Sequence, residues 1–181
     1  MENIYSVVRT DLMAGTDVGT YLVSLRFFDS DGDPADIENG NVVKLGALIT
    51  YTDDDGAITG QERELHSATV PAANTPIDEI VLVANPEVMY DERKKNLHEY
   101  INVAGSNVRG YRLHKHDIFS VTKEALNVGE SVTPAIGYAV ELMAGTKLNV
   151  VAEATNSSTQ IGKLIAIETA GRYTYYVIQV A

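Results

Sequence analysis

The chain has 181 residues, a net charge of −11, ten tyrosines, and neither cysteine nor tryptophan. Its length fits one domain, or two small lobes sharing a core, with enough interior to need no covalent staple. The missing cysteine excludes disulfides and thiolate chemistry, and the acid excess opposes nucleic-acid binding, which draws its affinity from Lys and Arg set against phosphates.

Residues 1–13 hold no apolar run behind a basic flank, so no signal peptide is expected. No segment approaches the ~20 apolar residues of a membrane span. Residues 1–20 contain the pairs Gly15-Thr16 and Gly19-Thr20 and only scattered apolar positions. They predict an extended N-terminal arm in front of a single β-rich body over residues 21–181. Deleting residues 2–16 should then leave the body folded.

Short apolar blocks separated by Gly, Asp, Asn and Pro predict strands at Tyr21–Phe28, Val42–Thr50, Arg63–Ala68, Ile80–Ala84, Ile118–Thr122, Tyr138–Met143, Leu148–Glu153, Ile161–Glu168 and Arg172–Val180. The fold class is mainly β, as a barrel or as a sandwich or tulip-like body, because a parallel sheet would require repeated crossover helices. Hairpin turns are expected at Asp53-Asp54-Asp55-Gly56 and at Thr169-Ala170-Gly171, each with a glycine to supply positive φ. Residues 29–41 and 71–76 read as loops. Leu12-Met13-Ala14-Gly15-Thr16 recurs as Leu142-Met143-Ala144-Gly145-Thr146, but the flanks sustain no fixed period, so the echo is read as coincidence.

One amphipathic α-helix is predicted near residues 91–104, inside a helical insertion spanning 88–112. Leu97, Tyr100, Ile101 and Ala104 fall on one stripe, Asp91 and Glu92 suit the N-terminal turn, and Gly105 suits a left-handed C-cap. The positive charge gathers around it. Residues 88–126 carry 7 Lys and Arg against 5 Asp and Glu, whereas residues 1–87 carry 4 against 16. Arg93, Lys94 and Lys95 are read mostly as the solvated face of that helix, with contact to an acidic partner as the alternative.

Candidate chemistry is thin. Asp29, Asp31 and Asp33 alternate as Ca²⁺ loops do, with Asp36 and Glu38 as further oxygen donors, yet Pro34 and Gly40 stand where an EF-hand needs Gly and Glu. An acidic surface loop is the preferred reading. His114 and His116 would share a strand face beside Asp117, without an evident third metal ligand, since His66 and His98 lie far away in sequence. Glu62 and Glu64 could share a strand face as paired carboxylates, but no tryptophan and only three phenylalanines leave sugar cleavage little support. No nucleophile elbow or phosphate-binding glycine loop occurs. Most tyrosines are assigned to strand packing. No catalytic, cofactor-binding or metal-ligating residue is assigned, no cofactor is expected, and the chain is read as a binder and not an enzyme.

The run Asn85-Pro86-Glu87-Val88-Met89-Tyr90-Asp91-Glu92-Arg93-Lys94 continues through Ala104-Gly105, Arg109-Gly110-Tyr111 and Asp117-Ile118-Phe119-Ser120-Val121-Thr122. Together with Asp36-Ile37-Glu38-Asn39-Gly40, Val42-Val43-Lys44-Leu45-Gly46 and Gly145-Thr146-Lys147-Leu148, it resembles small structural proteins of tailed bacteriophages, the head decoration or capsid cement proteins. The resemblance spans most of residues 36–180. It implies a virion protein made in the bacterial host cytoplasm and placed on the capsid surface. There it would stabilise the assembled shell, with the major capsid protein as partner and self-association, for instance as a trimer. Neither nucleic acid nor membrane is an expected partner. Alternatives are a tail-tube or head-tail joining protein and, in another class, a metal-binding module or metal-dependent hydrolase.

Overall fold

Residues that alternate along a strand can serve two separate cores, one on each side of the sheet. A computed structural model describes residues 4–91, 93, 96–129 and 132–181. The strands are β1 (Leu22–Phe27), β2 (Val42–Thr52), β3 (Ile58–Thr69), β4 (Ile80–Val83), β5 (Val108–Arg112), β6 (Ile118–Thr122), β7 (Leu126–Val128), β8 (Ala139–Glu141), β9 (Leu148–Val151), β10 (Gln160–Ala170) and β11 (Tyr173–Val180). The first five close a barrel in the order β1-β3-β2-β4-β5, with β5 returning to β1. The remaining six form a half-barrel sheet in the order β6-β11-β10-β8-β9-β7. The chain is thus mainly β, with barrel closure in one half only.

Leu25, Phe27, Val43, Ala68, Val81, Val83 and Val108 fill the barrel. Val42, Ile80, Leu82 and Tyr111 point the other way and pack with Phe119, Val121, Val140, Leu148, Ile161, Leu164 and Ile178 of the sheet. All four residues of β4 are therefore buried, two in each core. This explains a continuous apolar run in an antiparallel strand, since both of its faces are covered.

The predicted strands appear, all but Ile118–Thr122 with shifted ends, and two more join them. Val108–Arg112 was expected inside a helical insertion and is instead the strand that closes the barrel. Leu126–Val128 pairs in parallel with β9. β1 and β3 are also parallel neighbours, and β2, which lies between them in sequence, pairs on the far side of β3.

The helix near 91–104 is not formed among its described residues. Only Leu97–Glu99 makes a single 3-10 turn, closed by a capping box between Asn96 and Glu99, and Tyr100 is already extended. A lone amphipathic helix of this length is marginal in water, so tertiary partners decide. Here Asn102 exchanges backbone hydrogen bonds with Ile37 at 2.9 and 3.1 Å, which demands extended backbone. Gly105 does take positive φ, but in a turn between Val103 and Ser106. Glu92, Lys94 and Lys95, expected on the helix ends and face, lie outside the described residues.

The free N-terminal arm is likewise replaced by a packed segment. Val8 bridges Val121, Thr122 N donates to Val7 O at 3.0 Å, Arg9 N to Ser120 O at 3.0 Å, and Tyr5 N to His98 O at 2.8 Å. Three 3-10 turns follow at Thr10–Leu12, Ala14–Asp17 and Gly19–Tyr21, the second holding one Gly-Thr pair and the third the other. Apolar Val7, Val8 and Met13 are buried, and this burial outweighs the flexibility that the glycines suggest.

Candidate interaction surface

β2 and β3 are 11 and 12 residues long, but the barrel uses only part of each. β4 pairs with Val42–Lys44 and β1 with Leu65–Ala68, so the far ends continue as a two-stranded ribbon. Residues 51–59 are exposed throughout. The expected turn is present: Gly56 has φ 81°, and Asp53 Oδ1 accepts from Asp55 N at 3.1 Å and Ala57 N at 2.8 Å.

A bulge marks the base of this ribbon. Between the pairs Leu48/His66 and Thr50/Gln61, β2 advances two residues while β3 advances five. Glu64 sits in that excess with φ 64°, a left-handed conformation costly for a residue with a Cβ. Bulges bend and twist a strand pair, and this one stands where the ribbon continues beyond the barrel's pairing. Glu62 and Glu64 consequently do not form the expected face of paired carboxylates. Glu62 instead accepts from Tyr51 Oη at 2.5 Å, and that hydrogen bond is the main cause of the raised Tyr51 pKa.

A second feature is a groove of about 300 Å³ between residues 85–91 and 99–106, walled by Val88, Met89, Tyr90, Tyr100, Ile101 and Val103. Tyr90 is 94% exposed and Val103 60%. Beneath it runs a polar web. Asn102 Nδ2 donates to Ile37 O at 2.9 Å and Asn39 Oδ1 at 3.1 Å, Tyr100 Oη to Asn102 Oδ1 at 3.0 Å, and Asn85 Nδ2 to Tyr100 Oη at 2.9 Å. Asn39 Nδ2 donates to Asn85 O at 2.9 Å and Glu87 Oε1 at 3.1 Å. Satisfied networks of this kind fix the backbone around them. On the rim, Arg93 pairs with Asp91 at 2.9 Å while its side chain stays 89% exposed.

Burial lifts the Glu87 carboxyl above its ordinary range, against the hydrogen bond from Asn39. The folded state therefore holds this proton more firmly than the unfolded state. Its contribution to stability is complete below the ordinary carboxylate range and is lost as pH rises through the raised value. Glu87→Gln keeps an oxygen for Asn39 and removes the half-buried charge. It should melt above the parent at pH 7 and lose that advantage near pH 4; equal melting at both values would contradict the burial argument.

The other candidate residues are scattered. Asp29 Oδ1 accepts from Asp31 N and Asp33 N, both at 3.0 Å, so its carboxylate ties the loop's own backbone. Asp36 accepts from Ala104 N at 2.7 Å and Glu38 from Ser6 N at 2.9 Å, away from that loop. Among the described residues, no three His, Asp or Glu side chains converge as an ion would require. His114 and His116 occupy a turn between β5 and β6, not one strand face. His114 N donates to Asp117 Oδ2 at 2.7 Å, the His114 ring lies 4.1 Å from the Tyr21 ring, and His116 has φ 74°. His66 Nδ1 meets Gly46 O at 2.9 Å and His98 Nδ1 meets Tyr173 Oη at 3.0 Å. The buried Glu141 is occupied too, accepting from Asn149 Nδ2 at 3.2 Å and from Thr155 N and Oγ1 at 2.9 Å.

The arm and the groove were not singled out from sequence. The arm's signal is Tyr51 and Ile58, large side chains among small and polar neighbours, but alternation does not reveal which face is covered. Compared with protein-family models, curated proteins and solved structures, the chain matches none.

Proposed function

We propose that the protein is a virion structural component that binds the outside of an assembled phage capsid and stabilises it. The observation carrying this reading is a patch of large exposed apolar side chains on the β body: Val88, Tyr90 and Val103, which wall one groove, are 58%, 94% and 60% exposed. Exposed apolar side chains that adjoin one another mark protein contact. The phrases around Asn85–Lys94 and Asp117–Thr122, which resemble decoration proteins, point to the shell as that contact. A cement protein acts by mass action. Each copy binds only the assembled lattice, and occupancy of many sites shifts the lattice away from disassembly.

Purified protein should co-sediment saturably with emptied, expanded heads that lack it, and raise the temperature at which those heads open. Heads that sediment without it would reject the reading. The projecting arm favours one rival, a tail-tube or head-tail joining component. A tube protein polymerises without limit or forms large rings on its own, whereas a decoration protein stays a monomer or a small closed oligomer.

A further inference from the structure

We propose that a recess beside the start of β1 is a binding site for an oxyanion, a phosphate or a carboxylate group. β1 pairs with β5 from Leu22 onward but with β3 only from Ser24, so the barrel wall opens between Leu22–Val23 and Glu64 of β3. At this opening lies a recess of about 530 Å³, bordered by Thr20, Ser24, Glu64, His66, Arg109 and Arg112.

Two guanidinium groups belong to this border, and the fold uses neither. Among the described residues, the side chains of Arg109 and Arg112 make no hydrogen bond or ion pair; the contacts of Arg109 are made by its backbone, as from its N to Asn85 Oδ1 at 3.2 Å. Arg112 is half-buried. A guanidinium in that position has lost part of its hydration, and its planar fork of donors matches the paired oxygens of a carboxylate or phosphate. The hydroxyls of Thr20 and Ser24 are equally uncommitted, and His66, whose Nδ1 meets Gly46 O at 2.9 Å, keeps Nε2 free. Glu64 is the one carboxylate among the described residues of the border and forms no ion pair with either arginine, so two fixed positive charges stand there against one negative. Its backbone is left-handed, and His116, the other described non-glycine residue with positive φ, borders a second pocket that also includes Arg112. Backbone strain of this kind gathers at binding sites.

The inference goes beyond the capsid reading and does not rest on it. Full-length protein is titrated with sodium phosphate and, separately, with sodium citrate, against sodium chloride at matched ionic strength, while the arginine Nε–H signals are followed by nuclear magnetic resonance. At least one of the two anions should shift the Arg109 and Arg112 signals saturably and raise the melting temperature, and chloride should do neither. A response to phosphate alone assigns the site to phosphate groups, and a response to citrate alone assigns it to carboxylates. In a chain of net charge −11 anions are repelled at long range, so saturation reports the recess. Arg109→Gln and Arg112→Gln, folded by circular dichroism, should each weaken binding about tenfold or more, because a charge-assisted hydrogen bond is lost. Lys147→Gln removes the same charge from another exposed position and should bind as the parent does. Should Arg112→Gln fail to fold, the exposed Arg109 carries the test. Chloride acting as phosphate and citrate do, an Arg109→Gln variant that binds as tightly as the parent, or an equal loss in Lys147→Gln would overturn the proposal. None of these results bears on co-sedimentation with heads, so the capsid reading stands or falls separately.

Discussion

Removing residues 4–13 is expected to unfold the protein, not merely to detach an arm. Val7, Val8 and Met13 are 1%, 4% and 7% exposed, and Val8 and Met13 belong to the core shared by barrel and sheet. At about 1.5–3 kcal/mol for each buried side chain of this kind, their loss costs roughly 5–9 kcal/mol before any cavity term. That is comparable with the whole stability of a domain, about 5–15 kcal/mol. The backbone adds to it, because Val7 and Arg9 hydrogen-bond along the free side of β6. Urea unfolding followed by circular dichroism measures the effect, and a truncated chain with the parent's midpoint would refute it. The deletion is consequently a poor probe of capsid contact, since lost binding would report lost structure.

Gly162→Ala is expected to cost about 3 kcal/mol or more, the upper end of overpacking penalties. A Cβ at this position would run into the carbonyl oxygen of Gln179, would lie 2.8 Å from that carbonyl carbon, and 3.1 Å from Val180 Cα. These obstacles are backbone of the partner strand and cannot rotate aside. Nor can β10 move as a whole, for it is paired with β11 on one side and β8 on the other. For a chain of this size the penalty corresponds to a Tm lower by about 6–12 °C. A variant melting within about 2 °C of the parent would mean that β10 and β11 separate locally at little cost.

Where neighbours in sequence supply the partners, the fold was legible. The β10–β11 hairpin was readable from its alternation and glycine, though its turn is Gly171-Arg172 and not three residues. β6 was readable to its ends from its own apolar block, although its partner β11 lies far along the chain. β5 was not, because Val108-Arg109-Gly110-Tyr111-Arg112 alternates poorly and carries a central glycine. Gly110 is needed there because Val81 and Leu25 already fill the space a Cβ would take. Leu97, Tyr100, Ile101 and Ala104 imitated a helix stripe, while the decisive partner of Asn102 was Ile37, distant in sequence. Similarly, two adjacent valines near the N-terminus gave no hint that Val121 would receive one of them. The interaction surface was least legible, since an exposed ribbon and a half-buried strand are written with the same alternation.

The treatment of strand edges has a consequence for solubility. Closure leaves the barrel proper without a free edge, Val7–Arg9 lies along β6, and β7, at the other side of the sheet, is only three residues long. Short or covered edges give stray chains little to pair with. Among the described strands, long unpaired borders remain on the projecting ribbon, with three consecutive aspartates at its tip, and on β10 beyond Leu164, where β8 no longer pairs. Indiscriminate strand addition, the route to amyloid-like aggregation, is opposed at the ribbon by like-charge repulsion between copies.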